Sequence, residues 1–161
     1  MNVDSAHKSR WEIAEVVFGI PFLISIAINF MIPFSLPQGI YRQILLFVGI
    51  VLIIIGVGVI VLARREFVFF CQPTDPGHPT SKIVNTGVFA ISRNPLYLAS
   101  VIVFLGLALA LNILWAIVML PLSIITCLNV LIIPEEQYLA EKFGEEYKEY
   151  AASVHRWLGR K

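Results

Sequence analysis

The chain has 161 residues, of which 58% are hydrophobic and 14% are charged, and its formal net charge is +1. A soluble domain usually carries about 25% charged residues, so this composition excludes an ordinary water-soluble domain and predicts an integral membrane protein. The near-zero net charge and the lack of a dense Lys/Arg cluster argue against nucleic-acid binding. The two cysteines form no metal-binding pattern and no histidine pair has metal-ligand spacing, so no metal site is predicted. The length suggests a single domain, 1–161.

Apolar runs in the first half of the chain predict two membrane helices. A membrane-spanning helix needs about 20 predominantly apolar residues, and such runs cover approximately residues 14–33 and 44–63. The first run is not followed by a small-residue cleavage site, which favours a retained helix over a signal peptide. The second run ends at Arg64 and Arg65, where a long polar loop, 64–94, is predicted.

The second half of the chain predicts a helical hairpin. No charged residue occurs between Pro95 and Pro134. About 40 helical residues would extend roughly 60 Å, twice the roughly 30 Å thickness of the hydrocarbon core. We therefore predict two helices, 95–111 and 113–133, joined by a tight turn at Asn112. The expected fold class is an all-α integral membrane protein with about four transmembrane helices.

Residues 134–158 predict a C-terminal amphipathic helix, because Pro134 suits the first turn of a helix and apolar side chains then recur at steps of three or four. Gly144 is the position where this helix is expected to bend. Two placements are open: the helix lies on the membrane surface, or it packs as a lid over a site between the helices. The apolar stripe consists of Leu139, Phe143, Tyr147, Tyr150, Val154 and Leu158.

The distribution of Lys and Arg predicts the orientation of the chain in the membrane. These residues flank the first helix, fill the 64–94 loop and recur in the tail, whereas the two short turns are nearly uncharged. Four crossings put both termini and the long loop on one side. We therefore expect a multi-pass membrane protein whose termini and polar segments face the cytosol.

Outside the predicted membrane helices, chemically useful side chains concentrate in two segments, 70–97 and 134–156. The hairpin brings Arg93, before the third helix, to the same side of the membrane as Glu135 and Glu136, after the fourth. Spacing alone leaves open that these charges only anchor helix ends at the membrane interface.

The sequence motifs in these two segments resemble those of a known family. Residues 87–97 read GVFAISRNPLY and resemble the G-x-[YF]-x-x-x-R-[HN]-P-x-Y motif of the isoprenylcysteine carboxyl methyltransferase family and its phospholipid methyltransferase relatives. Residues 135–156 read EEQYLAEKFGEEYKEYAASVHR and resemble the second signature of that family. The two motifs occur in the expected order, separated by a membrane hairpin.

The resemblance implies a membrane methyltransferase that uses S-adenosylmethionine in a pocket on the cytosolic side. Carried over residue by residue, it assigns catalytic roles to Arg93 and Glu136. The cofactor-binding residues that it implies are Thr86, Gly87, Asn94, Tyr97, Glu135, Tyr147 and Arg156. Arginine suits the carboxylate of the cofactor, while carboxylates and aromatic rings suit its ribose hydroxyls and its sulfonium. Two positions depart from the family pattern: Asn94 stands where many relatives have His, and Gly159 stands where many have Pro.

The methyl acceptor implied by the resemblance is lipophilic and reaches the site from the bilayer, so membrane lipids are expected partners. A carboxylate acceptor is already anionic and needs only alignment in a dry pocket, whereas an amine acceptor must first lose a proton to a base. Glu136 is the leading candidate for that base, ahead of His78 and His155. The oligomeric state is not predicted.

Several functions are compatible with these motifs. The interpretation that we favour is a methyltransferase like those that methylate the carboxyl group of isoprenylcysteine. The alternatives are N-methylation of a phospholipid amine and a non-catalytic membrane scaffold that keeps the fold. A reductase with a nicotinamide cofactor is a further alternative, because sterol reductases share a similar C-terminal region, but the sequence has no dinucleotide fingerprint.

Overall fold

The computed structural model describes residues 14–34, 36, 38–72 and 81–161. Within these ranges all regular structure is helical, as the sequence predicts, apart from a single β-bridge between Val154 and Arg160. The helices are α1 (Ala14–Met31), α2 (Ile40–Phe69), α3 (Pro95–Leu111), α4 (Leu114–Cys127), α5 (Ile133–Phe143) and α6 (Glu145–Ser153). A 3₁₀ turn (Gly87–Ala90) precedes α3, and a π-helical turn (Leu128–Ile132) joins α4 to α5.

Three helical stretches in the described part of the chain are long and apolar enough to cross a bilayer. They are α1, α2 and the continuous stretch Leu114–Phe143, which contains α4 and α5. They support the prediction of an integral membrane protein. α3 is apolar throughout but has only 17 residues, which is at the short end of the about 17–25 residues that membrane helices use. The expected number of four crossings therefore stays a prediction.

Glycine allows α2 and α3 to pack with their backbones close together. A Cβ atom on Gly49 would lie 2.6 Å from the Gly106 carbonyl oxygen, and one on Gly56 would lie 3.0 Å from the Ala99 carbonyl oxygen. Membrane helices commonly associate in this way, because close packing rather than the hydrophobic effect holds them together in lipid. The order of these contacts makes the two helices antiparallel, so the Arg64 end of α2 lies beside the start of α3.

α1 packs mainly against α4, and aromatic rings fill the space between α1 and α3. The rings of Phe22 and Phe104 lie 5.1 Å apart, and those of Phe18 and Phe104 lie 6.2 Å apart, both in edge-to-face arrangements. Ser25 and Ser123 are fully buried. Each serine hydroxyl donates to a carbonyl oxygen of its own helix, which satisfies it without water.

Polar contacts close the end of the bundle that lies opposite the two motif segments. Asn112 adopts a left-handed conformation (φ 61°) between α3 and α4. Its side-chain oxygen accepts a hydrogen bond from the Leu36 amide at 3.0 Å. Arg42 donates to the Ala110 carbonyl oxygen at 2.7 Å. The connection between α1 and α2 is thereby tied to the hairpin turn.

The structure extends the second helix beyond its predicted boundaries. α2 spans Ile40–Phe69 rather than 44–63, so the predicted loop 64–94 is shorter, and it contains the 3₁₀ turn. The charged residues at 64–66 end the apolar run, but Arg and Glu are good helix formers. The helix therefore continues past its last apolar turn.

The predicted C-terminal helix 134–158 is not one helix. α4 continues into α5 through the π-helical turn, and the break comes at Gly144 (φ 56°), after which α6 adds nine helical residues. The π-helical turn has a local cause, because Pro134 has no N–H to donate to the carbonyl group four residues earlier. The chain instead forms the wider hydrogen bond from the Ile133 amide to the Leu128 carbonyl oxygen.

Most of the apolar stripe of the tail packs into the protein. α5 and α6 bring it against the segment that leads into α3, which is the packing that the lid placement predicts. Leu158, the last member of the stripe, is instead 66% exposed. The buried members are Tyr147, Tyr150 and Val154, against which Leu139, Phe143 and Ile83 pack.

Candidate active site

The turn at the start of the first motif is fixed by the end of α2. The Thr86 hydroxyl donates a hydrogen bond to a carboxylate oxygen of Glu66 at 2.6 Å. Gly87 has φ 54°, a backbone conformation that favours glycine, and a Cβ atom there would collide with the same carboxylate. The rings of Phe67 and Phe89 lie 5.0 Å apart and hold the turn against α2. Thr86 and Gly87, both predicted to bind the cofactor, thus contact Glu66.

Arg93 lies in the first motif and contacts the second. Its backbone amide donates to the His155 carbonyl oxygen at 3.1 Å. Its guanidinium Nη2 lies 3.3 Å from Glu136 Oε1, and Nη1 donates to the Tyr147 hydroxyl at 3.4 Å. The side chains of Arg93 and Glu136 are 12% and 13% exposed. This ion pair is therefore largely shielded from water, where charges interact more strongly than on a surface.

Glu136 is the junction of the site, because a second arginine also binds it. Arg156 Nε donates to both carboxylate oxygens at 3.1 Å, and Arg156 Nη2 donates to Oε2 at 2.6 Å. Such forked contacts fix the orientation of a carboxylate as well as adding energy. The side chain of Arg156 is 38% exposed, so this arginine covers Glu136 from the solvent side. One carboxylate between two guanidinium groups leaves a net positive charge at the junction.

Residues 154–161, the C-terminal strap, are held to the segment before α3 by backbone hydrogen bonds. The Gly159 amide donates to the Ile91 carbonyl oxygen at 2.7 Å. Asn94 Nδ2 donates to the Arg156 carbonyl oxygen at 3.1 Å, and Asn94 is buried. The residue that stands where many relatives have His is therefore an anchor of the strap.

Tyr97 and Glu135 form a second pair beside the ion pairs. The Tyr97 hydroxyl donates to Glu135 Oε2 at 2.9 Å. Tyr97 lies about one helical turn beyond Arg93, and Glu135 directly precedes Glu136. Acidic and aromatic groups are therefore adjacent at this end of the protein.

Two residues of the site were not identified from the sequence. Tyr150 is buried, its hydroxyl donates to the Phe89 carbonyl oxygen at 2.7 Å, and its ring lies 6.2 Å from that of Tyr147. Its place in the apolar stripe was the available signal, and it indicated packing rather than a hydrogen bond. Glu66 is the second such residue. It follows two arginines at the end of an apolar run, a pattern that indicates an interfacial charge and nothing more.

The two buried tyrosines of α6 keep their protons at physiological pH. Burial raises the pKa of Tyr147 to about 12, and the Glu136 carboxylate adds to the shift while Arg93 opposes it. Burial also raises the pKa of Tyr150. Both phenols therefore act as neutral hydrogen-bonding groups. The hydrogen bond to Glu136 raises the pKa of Arg156, which stays a cation.

Arg93 has a donor that the described residues leave unsatisfied. Its Nε atom is buried and has no hydrogen-bond partner among them. A buried donor without an acceptor costs free energy, and more so on a charged group. The residues present therefore fit a ligand that brings an anionic acceptor to Arg93, and the carboxylate of an amino-acid-like cofactor is such a group.

The structure brings most of the predicted site residues together. Tyr97 and Glu135 lie beside the central network, whereas Thr86 and Gly87 contact Glu66 instead. The chemical roles assigned to all of these residues stay predictions. The central network consists of Arg93, Asn94, Glu136, Tyr147 and Arg156.

In this arrangement the candidate bases are not positioned to take a proton from a methyl acceptor. Both carboxylate oxygens of Glu136 accept hydrogen bonds from guanidinium groups. His155 is exposed and enters the network through its backbone carbonyl oxygen, and His78 lies outside the described residues. The geometry thus favours chemistry that does not require removal of a proton.

Comparison with known proteins identifies the family. Residues 44–146 match the family described as phospholipid methyltransferase, whereas no curated protein and no solved structure gives a match. The matched region includes Arg93 and Glu136 and ends just before Tyr147. The resemblance drawn from the two motifs is thereby confirmed. Because the match spans more than half of the chain, the protein belongs to the phospholipid methyltransferase family of membrane methyltransferases, which includes proteins like isoprenylcysteine carboxyl methyltransferase.

Proposed function

We propose that this protein is an S-adenosylmethionine-dependent methyltransferase that acts on a lipophilic acceptor. The observation that carries the proposal is the convergence of the two motifs on one carboxylate. Arg93, from the segment before α3, and Arg156, from the C-terminal strap, both bind Glu136. Membership of the family supports methyl transfer as the activity.

Arg93 is the proposed contact for the carboxylate of the cofactor. Its buried Nε atom lacks an acceptor among the described residues, and guanidinium binds carboxylates with strong, directional hydrogen bonds. Glu135 is proposed to favour the positive sulfur, and Glu135 and Glu136 to accept hydrogen bonds from ribose hydroxyls, with Glu136 sharing its carboxylate between the ribose and Arg156. Tyr97 and Tyr147 are the proposed aromatic walls. When bound, S-adenosylmethionine supplies an electrophilic methyl group on that sulfur.

The protein is proposed to accelerate transfer mainly by alignment and by exclusion of water. Arg93 and Glu136 are 12% and 13% exposed, and the strap covers them through Arg156. In a dry site, fixed charges act more strongly than in water. Good alignment of two reactants contributes about 7–11 kcal/mol in well-oriented reactions, so a transfer that moves no proton needs little else from the protein.

We infer that the acceptor is a carboxylate on a lipophilic group, as in isoprenylcysteine carboxyl methylation. A carboxylate is already anionic at physiological pH, so its methylation by a bound S-adenosylmethionine would require no base from the protein, which would only have to hold the acceptor in line. The occupied oxygens of Glu136 support this choice. N-methylation of a phospholipid amine is the alternative, and it would need Arg156 to withdraw so that Glu136 can accept a proton.

The proposed site faces the cytosol, and the acceptor reaches it from the bilayer. Lys and Arg concentrate in the segments at this end of the protein, as they do on the cytosolic side of membrane proteins. The Arg64 end of α2, the start of α3 and the α5 end of the continuous α4–α5 stretch all lie there. A soluble cofactor is thus expected to arrive from the cytosol.

Binding of S-adenosylmethionine and S-adenosylhomocysteine to the purified protein in nanodiscs tests the proposal. We expect saturable binding by calorimetry in the wild type and in the control Glu145→Ala, which changes an exposed residue of α6. Glu136→Ala is expected to lose binding. Transfer of a labelled methyl group is then measured with a prenylated cysteine and with a phosphatidylethanolamine as acceptors.

Each outcome of these assays has a distinct meaning. Folded protein that binds neither molecule at millimolar concentrations would support the non-catalytic scaffold. Binding together with methylation of the amine alone would replace the carboxylate acceptor by the phospholipid headgroup. Methylation of the prenylated cysteine, lost in Glu136→Ala, is the expected result.

A further inference from the structure

Two large apolar side chains next to the candidate site are exposed although they lie outside the membrane helices. Ile91 is 51% exposed and Leu158 is 66% exposed. Backbone and side-chain hydrogen bonds hold them side by side: the Gly159 amide donates to the Ile91 carbonyl oxygen at 2.7 Å, and Arg160 Nε donates to the Ala90 carbonyl oxygen at 3.2 Å. Ile91, from the segment before α3, and Leu158, from the strap, together form what we call the apolar tip.

The register of α2 against α3 sets the depth of the apolar tip. Gly56 faces Ala99 across this antiparallel contact. Arg64 lies eight helical residues beyond Gly56, whereas α3 begins at Pro95, four residues before Ala99, and Ile91 lies in the segment that precedes it. Ala63, beside Arg64, packs in one buried cluster with the turn that precedes α3. Because Ile91 directly follows that turn, the apolar tip lies near the level of Arg64.

Arg64 in turn marks one edge of the membrane. Arg42 and Arg64 enclose a part of α2 that contains no charged residue. With a rise of about 1.5 Å per residue, they are roughly 33 Å apart, which matches the roughly 30 Å thickness of a hydrocarbon core. Arg64, and the apolar tip near its level, thus lie at the boundary between acyl chains and headgroups.

The exposed charges on the strap and at the end of α2 are basic. The exposed acidic side chains of the tail lie instead on α5 and α6. Apolar side chains beside Lys and Arg are typical of segments that insert into the interface of an anionic leaflet. The exposed basic residues at the end of α2 and on the strap are Arg64, Arg65, Arg160 and Lys161, whereas α5 and α6 carry the exposed acidic residues Glu141, Glu145, Glu146 and Glu149 together with the exposed Lys142 and Lys148.

We propose that the C-terminal strap, together with Ile91, is an interfacial anchor: Ile91 and Leu158 insert into the leaflet, and Arg160 and Lys161 bind anionic lipid headgroups. The occupant of this surface is the lipid layer itself. Because the strap carries Arg156, the same contact holds that arginine over the site. The proposal rests on the placement of the helices across the bilayer and does not depend on methyl transfer.

Site-specific fluorescence tests the anchor. Leu158→Cys and the control Glu149→Cys, each in a Cys71→Ser background, are labelled with an environment-sensitive dye; Cys127 is fully buried and does not react. The labelled proteins are placed in nanodiscs of phosphatidylcholine, with or without phosphatidylglycerol. We expect the dye at 158 to be quenched several-fold more strongly than the dye at 149 by nitroxide lipids labelled near the headgroup, and to be protected from aqueous iodide.

The lipid charge supplies the second readout. Phosphatidylglycerol is expected to increase quenching at 158, and Arg160→Gln with Lys161→Gln is expected to remove that increase. Iodide quenching that is equal at 158 and 149 would overturn the proposal, as would quenching at 158 that is identical in the two lipid mixtures. Neither result depends on cofactor binding, so failure of the methyltransferase proposal would leave this test unaffected.

Discussion

Arg156 Nη2 lies 2.6 Å from Glu136 Oε2, and this contact closes the candidate site from the C-terminal side. The pair joins the first turn of α5 to the strap, across 20 residues of sequence. It places a cation on the carboxylate that is proposed to face the cofactor. A ligand that uses Glu136 must therefore share this carboxylate with Arg156 or displace it.

Replacing Glu136 by Gln tests the charge at this junction. The substitution keeps the size and one acceptor but removes the negative charge between Arg93 and Arg156. Hydrogen bonds to charged groups contribute about 1.5–3 kcal/mol, so the affinity for S-adenosylmethionine is expected to fall about 10- to 100-fold. Glu136→Ala and Arg93→Ala are expected to abolish turnover while the protein stays folded in the membrane. Calorimetry, a methyl-transfer assay and circular dichroism measure the three quantities.

The Glu145–Lys148 pair on α6 supplies the control. Its charged atoms lie 2.6 Å apart, but the side chains of Lys148 and Glu145 are 65% and 80% exposed. Exposed pairs contribute about 0–1 kcal/mol, so Glu145→Gln is expected to leave affinity and turnover unchanged. Near-normal methyl transfer by Glu136→Ala or Arg93→Ala would show that the role assigned to that residue is wrong.

Glu66 is expected to position the first motif from outside the ion-pair network. Glu66→Ala removes the acceptor of the Thr86 hydrogen bond and should loosen the turn before α3, whereas Glu66→Gln keeps an acceptor oxygen. We expect Glu66→Ala to raise the KM for the cofactor with little change in kcat, and Glu66→Gln to restore the wild-type KM. If Glu66→Ala and Glu66→Gln lose stability equally and the KM for the cofactor does not differ between them, the role of Glu66 is purely structural.

Gly87 offers a second test of the same turn. Its φ of 54° and the nearby Glu66 carboxylate both oppose a side chain, and strained backbone of this kind costs about 1–3 kcal/mol. Gly87→Ala should therefore destabilise the protein by about that amount. In a Glu66→Ala background the collision is absent but the strain in φ persists, so the cost should be smaller. Thermal unfolding of the four proteins in a double-mutant cycle measures the coupling, and strictly additive effects would contradict the contact.

The parts of the site that could be predicted are those that depend on motif and topology. The uncharged run that starts at Pro95 is too long for one crossing, so it had to return, and that return brings Arg93 to Glu136. The position of the strap could not be predicted. Its contacts are made by backbone groups of Ile91 and Gly159, and the identity of the side chains does not indicate which backbone groups will pair. The partner of Asn94 is a backbone carbonyl oxygen as well.

Helix type was predictable, and so were the bounds of α3 (Pro95–Leu111), but the ends of α2 and the division of the tail were not. Pro134 lies in the first turn of α5, as its fixed backbone geometry favours, but α5 follows α4 without a gap, through a π-helical turn. Gly144 was expected to bend the tail helix and in fact divides it. The apolar stripe indicated which side chains of the tail would be buried, but long-range packing decided that they cover the segment before α3.

Asn94 is expected to hold the strap through its amide N–H. Asn94→Asp replaces the donor by an oxygen that faces the Arg156 carbonyl oxygen, whereas Asn94→His keeps a ring N–H that can donate. Loss of one hydrogen bond costs about 1 kcal/mol, which is about a fivefold change in an opening equilibrium. Hydrogen exchange at the Gly159 amide should therefore speed up about fivefold or more in Asn94→Asp, and less in Asn94→His. Equal exchange in both variants would contradict this role.

Four crossings require both termini to lie on one side of the membrane, with the turn near Gln38 on the other. In sealed vesicles of defined orientation, tags at the two termini should respond alike to a protease. Gln38→Cys, in a Cys71→Ser background, should react with an impermeant thiol reagent only from the opposite side. Termini that respond differently would exclude four crossings and would leave α3 as a helix that does not span the membrane.

Titration of the Tyr147 phenol is expected to lower the stability of the protein at alkaline pH. Burial raises its pKa to about 12, above the value of about 10 for an unfolded chain. The folded state holds this proton more tightly than the unfolded state does. The contribution of the neutral phenol to the free energy of unfolding is therefore fully present below about pH 10, and it is lost as the pH rises from about 10 through about 12. The stability difference between wild type and Tyr147→Phe should therefore be constant at neutral pH and should shift against the wild type above about pH 10. Thermal unfolding across this range measures it. If the stability difference between the two proteins stays constant up to about pH 12, the phenol is not buried. The expected loss of stability above about pH 10 would show that Tyr147 is a neutral phenol at physiological pH and so does not act there as a proton acceptor.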